Sequence, residues 1–138
     1  MKQRKKSRKS LVKELDRMSS KLAIWKWIRD WDEWCQFCIL RDEFKKTRVN
    51  QCFHLFSSQK YSARWQPMNT LASCGGCNIR YEQDSHFVAN VIDWYKTKFG
   101  QDAYDALYKI WAQVGRVSTP DLRNLHKKIK FEYDEVFT

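Results

Sequence analysis

The sequence predicts an α+β fold that is mostly α, with a small metal-stapled centre flanked by one N-terminal helix and a set of C-terminal helices. Three observations predict it. Apolar residues recur with a helical period in the first and last thirds, that period vanishes across residues 33–73, and two Cys-x-x-Cys pairs bracket most of the aperiodic stretch. At 138 residues the chain fits one domain. It divides into a disordered basic arm (1–9) and a folded unit (10–138), the latter made of an N-terminal helix over 10–32, a centre over 33–83 and helices over 84–137. Seven Trp, six Tyr and eight Phe can build a core, although a chain this small gains from a staple.

The first helix follows from Leu11, Leu15, Met18, Leu22 and Trp25, spaced by four and three residues so that they share one face, with Ser10 as N-cap. In the centre, the β-prone stretch from Val49 to Phe56 and a Ser-rich loop over 57–62 predict an irregular region containing a hairpin. Pro67 argues against a regular helix through 63–69. Asp84 or Ser85 caps the next helix, whose Phe87, Val88, Val91, Ile92, Tyr95 and Phe99 share a face and which Gly100 stops. A second helix over 102–114 turns Tyr104, Leu107, Ile110, Trp111 and Val114 inward and ends at Gly115. Thr119-Pro120-Asp121 begins the last, with Thr at N-cap and Pro at N1, and Leu122, Leu125, Ile129 and Val136 carry its apolar stripe. The stripes read as core and carry no functional assignment.

Net charge is +10, and Lys2, Arg4, Lys5, Lys6, Arg8 and Lys9 place six of those charges in the first ten residues with no acid among them. Such an arm neutralises phosphates and releases counterions, which gives sequence-independent affinity for nucleic acid. A solubilising tail is the blander reading. No apolar run of about 18 residues is present, so no membrane span is expected. No apolar stretch of signal-peptide type follows the basic start, and a reducing, cytosolic compartment is expected.

Cys35-Gln36-Phe37-Cys38 and Cys74-Gly75-Gly76-Cys77 are separated by 35 residues. Two residues between cysteines let both sulfurs reach one ion, and four soft thiolates in a tetrahedron favour zinc over magnesium or calcium. Disulfides conflict with a reducing compartment, and a redox pair would be expected in a βαβ setting that is not visible. Cys52 lies outside both pairs and reads as a small, buried residue.

Between the pairs stand His54, on the β-prone stretch, and Asn69, in the loop after Pro67; Asn78 directly follows Cys77. This order resembles the HNH, or ββα-metal, nucleases. The likeness extends further. Leu15-Asp16-Arg17, Cys52-Phe53-His54-Leu55-Phe56-Ser57, Tyr61-Ser62-Ala63-Arg64-Trp65, Asn69 and Cys74-Gly75-Gly76-Cys77-Asn78-Ile79 are similar to segments of the phage NinG/Rap recombination endonucleases. The residues from Tyr95 to Gly100 echo a helix end of that family. The resemblance covers residues 11–137 and rests most on the RW…N…CxGCN stretch.

What the resemblance implies is a zinc-stapled ββα-metal, treble-clef-like core that hydrolyses DNA phosphodiesters. His54 would be the general base, Asn69 would orient its imidazole, and Asn78 would bind a catalytic Mg²⁺ or Mn²⁺. Arg64 either contacts phosphate or pairs with an acid. Many HNH enzymes place a second metal ligand immediately before the base; here that position is Phe53, which cannot coordinate. Glu82, one helical turn after Asn78, is a candidate for the same ion, as are Asp84 and His86, which read equally as a cap and a surface residue. Structural zinc would carry no open site. The implied substrate is a branched recombination intermediate such as a Holliday junction or D-loop, met in the cytoplasm of an infected bacterial host, and the two cuts a symmetric junction needs would suit a homodimer. The scheme requires His54, Asn69 and Asn78 to converge on one scissile phosphate. Three rival readings are a non-catalytic zinc DNA-binding protein, for which Phe53 speaks, an HNH enzyme cutting linear duplex, and an RNA-binding zinc protein.

Overall fold

A computed structural model describes residues 4–41, 47–57, 59–113 and 116–138. Lys2 of the basic arm, and Val114 and Gly115 at the expected end of the second C-terminal helix, lie outside the described residues. The fold is mostly helical with one small sheet: α1 (Arg8–Asp30), a 3₁₀ turn (Cys38–Arg41), β1 (Gln51–His54), α2 (Tyr61–Arg64), β2 (Thr70–Ser73), α3 (Gly75–Gln83), α4 (Ser85–Phe99), α5 (Gln101–Trp111) and α6 (Thr119–Phe137).

Helix α1 is capped three residues before Ser10. Ser7 is the N-cap, and its hydroxyl accepts the Ser10 N–H at 3.2 Å. Arg8 and Lys9 therefore belong to α1 and not to a free arm. Leu11, Leu15, Met18 and Leu22 bury the predicted face against Leu122 and Ile129 of α6, and Trp65 closes the seam. Trp25 stays on the exposed side of the helix; Trp27 enters the core in its place.

Strands β1 and β2 form an antiparallel pair with Gln51 opposite Ser73 and His54 opposite Thr70. The connection between them holds α2, which stops at Arg64, short of Pro67. Alternation along β1 sends successive side chains to opposite faces. Phe53 faces α3 and α4 and packs on Phe37 and Tyr81, with ring centroids 5.1 and 4.6 Å away. Cys52 and His54 face α1. The larger core, containing Trp27, Phe37, Phe53, Leu71, Phe87, Val91, Tyr95 and Leu107, lies on the Phe53 side.

Local signals place most helix ends. The Asp84 carboxylate accepts the N–H groups of His86 and Phe87 and caps α4, so its role here is structural. Gly100 stops that helix at φ 94°, a left-handed conformation that suits glycine. At α6 the cap is Ser118, whose hydroxyl accepts the Asp121 N–H at 3.1 Å; Thr119, expected at that position, is the first helical residue.

Candidate functional site

The four cysteines of the two pairs meet. Every pair of their sulfurs lies within 4.8 Å, and all four residues are buried. Backbone hydrogen bonds from Cys35 to Thr47 (2.7 Å) and from Val49 to Glu33 (2.9 Å) fold the first pair into a knuckle. Cys74 is the N-cap of α3 and Cys77 lies in its first turn, so the second pair spans the step from strand to helix.

Such a cluster can hold a metal such as zinc, and its electrostatics favour one. Hydrogen bonding from Cys77 drives the Cys35 thiol down to about 5, whereas burial and the neighbouring sulfurs push Cys38 up, and Cys77 rises through its bond to Cys35. Four thiolates in one buried space repel, and a divalent cation at their centre removes the conflict. Among the described residues this is the one group of three or more His, Cys, Asp or Glu side chains whose ligand atoms could share an ion.

Arg41 completes the cluster and has no counterpart in the motif reading. It ends the 3₁₀ turn, and its guanidinium packs against Gly76, where the neighbouring Cys77 and Cys74 favour its charge. A Cβ at Gly76 would come within 3.0 Å of both its terminal nitrogens, so the absence of a side chain there makes room for the cation. Donors behind metal ligands commonly tune affinity 10–100-fold. Arg41→Gln is therefore expected to release zinc to a colorimetric chelator about tenfold faster than the wild type. An unchanged release rate would assign Arg41 to packing alone.

Cys52 stands apart from the cluster, half-buried, with burial raising its thiol to about 11. It remains a neutral thiol at physiological pH.

On the α1 face of the hairpin a second group assembles. Arg64 makes two hydrogen bonds to the Asp16 carboxylate, at 2.9 and 2.7 Å, and the Trp65 indole N–H donates to the same carboxylate at 2.9 Å. This settles one alternative for Arg64: it pairs with an acid 48 residues away. Asp16 was legible only as part of a motif, because nothing local to it names its partner. The His54 ring is half-buried on this face, and that burial pulls its pKa below the ordinary value.

The sign of that shift fixes a pH dependence. A histidine with a depressed folded pKa contributes stability that is full above its unfolded pKa of about 6.5 and is lost as pH falls through the folded value. NMR titration is expected to show the His54 imidazole still mostly neutral at pH 6.5, with a midpoint below that. Thermal stability should fall with acidification in that window, and His54→Gln should flatten the profile. A midpoint above 6.5 would contradict the burial argument.

Asn69 is fully buried, and its carboxamide does not reach the imidazole. Its oxygen accepts the Phe56 N–H at 2.7 Å, and its nitrogen donates to the carbonyls of Phe56 (3.2 Å) and Ala63 (3.0 Å). It therefore clamps the connection between the strands and sets the backbone at Ala63, in place of the direct contact with the imidazole that was expected.

Asn78 lies on the other side of the hairpin. Its amide nitrogen donates to the Gln51 side-chain oxygen at 2.8 Å. Because Gln51 and His54 leave β1 on opposite faces, Asn78 and His54 flank the hairpin and do not converge as the sequence reading required. The bond to Gln51 leaves the Asn78 oxygen free to accept or coordinate. Glu82 is exposed one turn further along α3, and His86 is exposed near the start of α4. Phe53, at the position where a further ligand was sought, is fully buried in the aromatic core.

Arg4 and Lys5 are exposed, Lys6 pairs with Glu14 at 2.6 Å, and Arg8 donates to Thr119 at 3.3 Å. No helix among the described residues is long and apolar enough to cross a membrane. No protein-family model matches the chain, and no curated protein or solved structure shows significant similarity to it.

Proposed function

We propose that this protein is a zinc-stapled DNA endonuclease of the HNH type, related to the phage NinG/Rap recombination enzymes and acting on branched DNA. The single observation that carries the reading is His54, a half-buried imidazole with a lowered pKa on a hairpin whose neighbouring helix begins at a four-cysteine cluster. Zinc in that cluster is structural and holds the hairpin against α3. His54 takes the proton of the attacking water. The Asp16–Arg64–Trp65 group and the Asn69 clamp fix the loop beside it. The resemblance would assign Mg²⁺ or Mn²⁺ to Asn78 and Glu82, but Asn78 flanks β1 on the side opposite His54, so the proton transfer at His54 does not run through them. The strongly basic composition favours association with DNA.

A second reading, a DNA-binding protein without hydrolytic activity, is favoured by Phe53 in the core and by the separation of His54 from Asn78 across β1. One assay distinguishes them. Wild-type protein with Mg²⁺ or Mn²⁺ is expected to nick four-way junctions faster than linear duplex, and His54→Ala to lower the rate about 100-fold or more while leaving junction affinity unchanged. Junction binding by the wild type without cleavage in either metal would establish the non-catalytic reading. Equal cleavage by His54→Ala would remove His54 from the chemistry.

A further inference from the structure

We infer that a cleft centred on Tyr61, separate from both the cysteine cluster and the His54 face, binds the phosphodiester backbone of a DNA strand. The inference rests on the DNA-binding half of the proposed function and not on hydrolysis. The cleft has a volume of about 570 Å³ and is lined by Arg8, Lys60, Arg116, Gln113, Tyr61 and neighbouring polar side chains, with no carboxylate among its lining residues. Three cations therefore face one space from three parts of the chain: the start of α1, the entry to α2 and the segment before α6. A second hollow of about 370 Å³, lined by Arg8, Lys9, Val12 and Tyr61, extends the basic surface toward the residues of the N-terminal arm.

The cations are held in place. The Arg8 guanidinium lies 5.6 Å from the Tyr61 ring centroid and donates to Thr119 in the first turn of α6. The Lys60 ammonium sits 4.2 Å from the Trp111 ring centroid. Cations braced on aromatic faces lose less freedom when an anion arrives. The first turn of α6 carries Asp121, which lines an adjoining hollow with Tyr61 and Gln113, so the positive charge of the cleft comes from its three side chains and not from the helix end. Converging positive charge with amide and hydroxyl donors between is the chemistry of a backbone phosphate site. Helix α2 spans Tyr61–Arg64, so the cleft begins about 5 Å along the helix axis from Arg64, which pairs with Asp16 on the His54 side of the hairpin. A strand seated in the cleft would be led toward the hairpin.

The test uses the full chain, a fluorescein-labelled 20-mer of dT, and anisotropy titrations across a range of salt. Lys60→Gln/Arg116→Gln removes two cleft charges, and Lys127→Gln/Lys128→Gln removes two from the exposed side of α6 as a matched control. The cleft variant is expected to weaken binding about tenfold at moderate salt and to flatten the log–log salt slope by about 1.4, corresponding to two lost phosphate contacts. The control should move affinity less than about twofold, since it loses only long-range attraction. Unchanged melting temperature and zinc content keep misfolding out of the comparison. Equal losses in both variants, or none in the cleft variant, would overturn the cleft. Failure of the wild type to bind any DNA would overturn both this inference and the proposed function, whereas binding without cleavage would overturn hydrolysis alone.

Discussion

Replacing Cys77 with alanine, or stripping the metal with a strong chelator, is expected to unfold the hairpin–helix core of this protein. Cys77 is completely buried, and its sulfur lies 3.9 Å from that of Cys38. The cluster ties together the knuckle after α1, the end of β2 and the first turn of α3, segments with little other local support. Zinc binding contributes about 10–16 kcal/mol in zinc-finger peptides, which rivals the entire stability of about 5–15 kcal/mol usual for a domain. Purified wild-type protein should contain one zinc per chain by elemental analysis. Chelation should abolish the near-ultraviolet dichroism that Trp27, Phe37 and Trp94 generate by packing together, with ring centroids 4.8–5.9 Å apart. Cys52→Ala is the internal control, because its thiol stands outside the cluster; it should retain full zinc content. A metal-free protein that melts cooperatively at the wild-type temperature would refute the staple.

Phe53→Ala is expected to produce the second largest loss, about 3–5 kcal/mol, by deleting a fully buried ring from a close-packed interior. Phe53 joins the two halves of the larger core: Phe37 of the knuckle stacks on one side, at 27° between ring planes, and Tyr81 of α3 meets it edge-on at 66°. Removing it leaves a cavity between the elements that the cysteine cluster also joins. The melting temperature should fall by about 10–20 °C. Phe53→Leu, which keeps much of the volume, should lose roughly half as much or less. A loss below about 1 kcal/mol for Phe53→Ala would mean that the hairpin does not pack on α3 as described. The result also bears on chemistry, since a ring essential to the core explains why this position offers no metal ligand.

How much of this was legible in the sequence depends on the range of the interaction. Asp84 capping α4 and Gly100 ending it are readable because the groups involved lie within a few residues of each other. Even there the readings slip by a residue or more, as at Ser7 and Ser118, since neighbouring hydroxyls compete for the same role. The cysteine cluster was readable across 35 residues because only one ion chemistry fits two such pairs. The function of Asn69 was misjudged in its route: a carboxamide with three hydrogen bonds to a loop looks, in sequence, the same as one reaching an imidazole.

The sequence by itself determined most of each helical stripe, Trp25 excepted, and that four thiols share one site, because helical period and ligand spacing are properties of the chain alone. Only the tertiary structure decided that Asp16 meets Arg64, that Arg41 lies over the sulfurs, and that His54 and Asn78 take opposite sides of β1. The physical reason is that a strand's alternation separates two faces without naming what covers either one. That choice is made by how α1 and α3 pack, through contacts between residues far apart in the chain.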